Sequence, residues 1–161
     1  MGTRMNAGDL VDRFDSELDL RRKRSGTLSD LLVRRAHWLD AEDRELVLAI
    51  FERGQSAAAI GTLTSTPARQ IRRRIRQLVA RLNDPRVAYV VAHKNSWGRT
   101  MQAVGRELFI RGRTMRQVSD TLGITLHSVR KHRDAIETMS ATERQRHRPS
   151  RVWLNAERAE S

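Results

Sequence analysis

The stretch from Pro67 to Leu82 restricts the fold of this chain more than any other. At a helical step of about 100° per residue, Ile71, Ile75, Leu78 and Leu82 share one stripe, and Arg69, Arg72, Arg73 and Arg76 share the opposite one. The apolar stripe needs neighbouring helices to cover it, whereas the guanidinium row must stay in water or meet an anion. A helix with an apolar back and an arginine front matches the major groove of DNA in shape, sign of charge and hydrogen-bonding capacity.

The segments before this helix read as its partners. Asp40 is a good N-cap, and Glu42 and Asp43 sit in a first turn where acids complement the helix dipole. Leu46, Val47, Ile50 and Phe51 form an apolar face, and Gly54 ends that helix as a left-handed residue. A short helix from Ser56 to about Thr62 follows, with Ala59, Ile60 and Leu63 expected inward. Thr64-Ser65-Thr66 makes the turn, Thr66 is expected to cap, and Pro67 takes the first helical position. Asn83-Asp84-Pro85 breaks the arginine helix.

The pattern then returns at a fixed distance. Phe51 and Phe109, Arg53 and Arg111, Gly54 and Gly112, and Arg72 and Arg130 are each 58 positions apart, and Ser56/Thr114, Ile60/Val118 and Ile71/Val129 are conservative pairs at the same offset. This spacing predicts two helix-turn-helix units in tandem. The expected class is all-α, with one or two N-terminal helices ahead of those units. The expected division is an N-terminal segment (1–39), a first unit (40–84), a connector (85–96), a second unit (97–139) and a basic tail (140–161). The connector is read as helical, because Val87, Tyr89, Val90 and Val91 have no second strand-like run to pair with. In the tail, Val152, Trp153 and Leu154 are expected to anchor against the folded body. The basic run Arg21-Arg22-Lys23-Arg24 reads as a solvated helix end or a DNA-contacting arm.

Charge supports a polyanionic partner. Lysine and arginine total 31 against 19 acids, a net charge of +12. Only Lys23, Lys94 and Lys131 are lysines, and the excess of arginine suits bidentate contact with phosphates and guanine edges. A GC-rich coding sequence would produce the same bias. The chain has no cysteine, which excludes disulfides and thiolate metal sites. No apolar run exceeds the six residues of Val87–Ala92, too short to span a bilayer. A cytoplasmic protein without cofactor is expected. Phosphate-binding glycine loops, His-Glu-x-x-His, cysteine nucleophiles and serine elbows are missing from the sequence, so no enzymatic activity is expected.

The candidate DNA-reading residues are Arg69, Arg72, Arg73 and Arg76, with Arg74, Arg81 and the amides near Thr66–Ala68 on the flanks for phosphates. Arg72 and Arg73 are expected to face solvent, so that replacing both with alanine removes selective binding at little cost in stability. In the second unit the corresponding face holds His127, Arg130, Lys131 and Asp134, and Arg133 falls where the first unit has Ile75. That helix either contacts DNA or faces a protein partner.

The stretch from Asp43-Arg44-Glu45-Leu46-Val47 through Phe51-Glu52-Arg53-Gly54-Gln55-Ser56 to Ile71 resembles region four, the C-terminal DNA-binding region of bacterial sigma factors. Phe109-Ile110-Arg111-Gly112-Arg113-Thr114 through Ser128-Val129-Arg130-Lys131-His132 resembles the same motif and the related output domains of response regulators. The first turn departs from the usual apolar-glycine-apolar triplet, which the second keeps as Leu122-Gly123-Ile124. The resemblance implies a sigma-like transcriptional regulator on duplex DNA; RNA polymerase is a further candidate partner, and the N-terminal helices are a candidate means of pairing two copies of the chain. Two other readings stay open. One is a protein-interaction module acting on RNA polymerase or another regulator; the other is a phage or mobile-element accessory factor in DNA packaging or recombination.

Overall fold

A computed structural model describes residues 26–147. The described residues are all-helical, without a strand. The expected basic arm at 21–24 and the Val152-Trp153-Leu154 anchor lie outside them. The helices are α1 (Gly26–Arg35), α2 (Ala41–Phe51), α3 (Ala57–Thr64), α4 (Ala68–Asn83), α5 (Pro85–His93), α6 (Arg99–Gly105, continued by a wider turn over Arg106–Ile110), α7 (Met115–Leu122) and α8 (Leu126–Arg146).

The 58-residue offset reaches further than the sequence suggested. Short 3₁₀ turns at Ala36–Trp38 and Lys94–Ser96 obey it, as do α3 and α7 at both ends and the starts of α2 and α6 and of α4 and α8. Leu39 and Trp97 are both extended residues that end those turns. The stretch first read as a connector is therefore the counterpart of α1. Each unit contains four helices, and the second begins as the first ends, with Asp84 capping α5 through its side chain (Oδ1 to Arg86 N, 2.8 Å).

Local chemistry explains the boundaries. Ser56 caps α3 by accepting from Ala59 N at 3.1 Å. Thr114 and Gln117 cap α7 reciprocally, at 3.3 Å and 2.9 Å. Gly54 and Gly112 both have φ +67°, which lets the chain leave each helix without steric cost. Two expectations shift at the first turn. Pro67, not Thr66, is the N-cap of α4, and the Thr66 hydroxyl instead donates to Thr64 O. Ser65 stands at φ 52°, in the place of Gly123 at φ 63°. The final helix continues beyond Met139 to Arg146, because no glycine or proline interrupts it before Pro149.

The first core packs Leu32, Val47, Ile50, Ile60 and Leu39 onto Ile71, Ile75, Leu78, Val79 and Leu82 of α4. Each fully buried aliphatic side chain contributes about 1.5–3 kcal/mol. The second unit buries Val87, Val90, Phe109, Ile110 and Ile136, with a satellite of Val104, Val118 and Val129. Trp38 packs against both cores, and the Arg35 guanidinium lies over its ring at 5.1 Å while donating to Leu82 O at 2.7 Å. Of the residues expected inward on α3, Leu63 is 76% exposed and Ala59 is exposed as well. The buried stripe of α3 is Ala57, Ile60 and Gly61, and Leu63 stands at its edge.

Candidate nucleic-acid interface

The apolar back of α4 is buried as the periodicity required, which fixes where its arginines point. Arg69, Arg73 and Arg76 are exposed on the outer face, and Arg72 is half-buried at its side. Arg72 and Arg76 each engage in contacts of their own. The expectation that Arg72 faces solvent is thus corrected: it lies about 100° round from Ile71 and borders the packed side.

Arg74 and Arg81 occupy the other flank, where they brace the helix instead of lying open. Arg74 donates through Nε to Asp43 Oδ1 at 2.9 Å and through Nη1 to Glu42 Oε1 at 2.7 Å. The hydrogen bond from Arg74 holds the Glu42 carboxyl below its ordinary pKa and raises that of the guanidinium. Arg81 is only 17% exposed. It donates to Ile110 O at 3.2 Å, approaches Asp43 Oδ2 at 3.5 Å and packs against Gly112. The acids of the first turn of α2 therefore do more than complement a helix dipole: they anchor α4 to the body of the protein.

In the second unit His127, Arg130 and Lys131 are exposed along α8, at the positions of Arg69, Arg72 and Arg73. Asp134 takes the place of Arg76 and accepts from Arg133 at 2.8 Å. Arg133, at the core position of Ile75, is half-buried and reaches Met115 Sδ at 3.2 Å. A carboxylate thus ends the basic row of α8 where that of α4 continues with Arg76.

Sequence reading missed Glu107, which is 1% exposed. Its carboxylate accepts a hydrogen bond from Arg111 Nη1 at 2.8 Å through Oε1 and forms ion pairs without hydrogen bonds to Arg113 Nε at 3.3 Å and Arg106 Nε at 3.6 Å. Arg111 also reaches Asp40 Oδ2 of the first unit at 3.1 Å, so Glu107 orients the arginine that joins the units. The available signal was an acid between the apolar Val104 and the run Leu108–Ile110, with arginines at 106, 111 and 113. A second missed feature is a groove of about 740 Å³ between α2, α3 and α4, with Leu46, Ile60, Leu63, Arg73 and Arg74 among its lining residues.

Among the described residues, no group of three or more histidine, aspartate or glutamate side chains is placed to hold a metal ion, and no helix is long and apolar enough to cross a membrane. Compared with protein-family models, curated proteins and solved structures, the chain has no match.

Proposed function

We propose that this protein binds duplex DNA sequence-selectively and regulates transcription, in the manner of sigma region four, with α4 entering the major groove. The observation that carries this reading is the state of α4: its back is buried, one flank is fixed by Asp43 and Glu42, and Arg69, Arg73 and Arg76 remain outward on a rigid rod. Guanidinium groups so placed can bridge guanine O6 and N7. The net charge of +12 supplies sequence-independent attraction to phosphates. The test is duplex binding by the Arg69→Ala/Arg73→Ala double variant, chosen because both side chains are exposed. Selective binding should be lost while the unfolding midpoint stays within the range of ordinary surface substitutions; retained selectivity overturns the assignment.

The exposed Leu63 and the groove beside it favour a second reading, a module that grips RNA polymerase or another regulator. Salt separates the two, because binding through several phosphates weakens steeply as salt rises, whereas apolar docking in the groove does not.

A further inference from the structure

The two units meet head to tail. The joining contacts run from the start of α2 and the end of α4 in the first unit to the Ile110–Gly112 turn of the second: Asp40 to Arg111, and Arg81 to Ile110 O and Gly112. Helix α4 also packs on α5. Were the units related by a two-fold axis, every contact would recur with the roles exchanged at positions 58 apart. Arg53 would then meet Gly98, and Met139 would meet Glu52. Instead Arg53 is held within its own unit by Glu45. The positions matching Asp40, Asp43 and Arg81 are Gly98, Met101 and Met139, none of which can form an ion pair. The interface is heterologous, and no linker loosens it, since α4 ends at Asn83 and α5 begins at Pro85.

Proteins built on a two-fold axis read inverted repeats, because the duplex has matching two-fold axes. Two copies of one reading helix joined head to tail lack that symmetry. Resting on the DNA-binding reading above, we infer that the target is a pair of elements in the same orientation on one duplex, at a fixed spacing. The elements are unequal. Arg69, Arg73 and Arg76 favour guanines in the first, whereas His127, Arg130 and Lys131, with Asp134 in place of Arg76, impose a weaker preference on the second.

The experiment is selection of the full-length chain on random-sequence duplexes, followed by binding to the enriched site with spacing changes. Enrichment of two like-oriented elements is expected, the first richer in guanine. Inserting about five base pairs, half a helical turn, should reduce affinity about tenfold or more. The Arg130→Ala/Lys131→Ala variant should keep the first element and lose the second. An inverted repeat, a single element, or a double variant with unchanged preference overturns the inference while leaving DNA binding intact. Failure to enrich any duplex overturns the DNA-binding reading and this inference with it.

Discussion

Replacing Gly61 with alanine sets two opposed effects against each other at the turn that positions α4. In an exposed helix interior, glycine to alanine stabilises by about 1 kcal/mol. At Gly61 a Cβ would stand 2.5 Å from Thr66 O and 3.3 Å from Ala68 N, both backbone atoms of the turn into α4. Real Cβ contacts essentially never fall below 3.0 Å, so the turn must retreat by at least half an ångström. That movement also strains the Thr66 N to Gly61 O hydrogen bond of 2.9 Å. Overpacking of this kind costs about 1–3 kcal/mol, and weakening the turn hydrogen bond adds up to about 1 kcal/mol. The net expectation is destabilisation of about 1–2 kcal/mol, read as a lower midpoint in urea at unchanged slope. The second unit supplies the control. Ser119 is the counterpart of Gly61, and its hydroxyl donates to Ile124 O, the counterpart of Thr66 O, at 2.6 Å. There the turn already accommodates a Cβ, so Ser119→Ala should lose only that hydrogen bond, about 1 kcal/mol, partly offset by the helix preference of alanine. A Gly61→Ala protein as stable as the parent, or more stable, would refute the close approach of α3 to the turn.

Three further perturbations test other parts of the structure. Ser65→Gly should raise stability by about 0.5–1 kcal/mol in the same urea assay, because it removes the steric cost of a left-handed serine at φ 52°. Glu107→Gln should cost about 2 kcal/mol, less than the roughly 3–5 kcal/mol for breaking a fully buried pair, since Arg111 and Arg113 are about a third exposed and can rehydrate. Burial works against the charge of Asp84, yet the Arg86 side chain and backbone N–H outweigh it and hold the carboxyl below its ordinary value of 3.8. The stability this carboxylate contributes is therefore fully present above that value and is lost as pH falls through the lower folded-state value. Thermal melts across the acid range should show a shallower decline for Asp84→Asn than for the parent.

Much of the helical architecture was legible because its signals are local. The isoleucine–arginine periodicity of α4 defined a helix with one buried side, and Gly54, Gly112 and Gly123 marked ends that need a positive φ. The repeat was legible only in part. α1 and α5 share the 58-residue offset in structure, but Leu32 faces Val90 and Leu82 faces Ser140 across it, so few identities betray the relation. The intramolecular partners of the flank arginines were illegible for a different reason. Periodicity gives an angle around a helix axis, not the identity of what lies beside it. Whether Arg74 and Arg81 meet phosphate or carboxylate depended on where α2 packs, and Asp43 lies 31 and 38 positions away in sequence. Glu107 was missed because a buried acid is tolerable only with arginines brought round by the fold.

The absence of cysteine makes one measurement especially direct: site-specific photocrosslinking to duplex DNA from single cysteines introduced at Gln77, on the outer side of α4, and at Ala92, exposed on α5. Seating of α4 in the major groove predicts adducts to bases from Gln77→Cys and none from Ala92→Cys. Adducts from Ala92→Cys alone, or none from Gln77→Cys on DNA that the protein demonstrably binds, would contradict it.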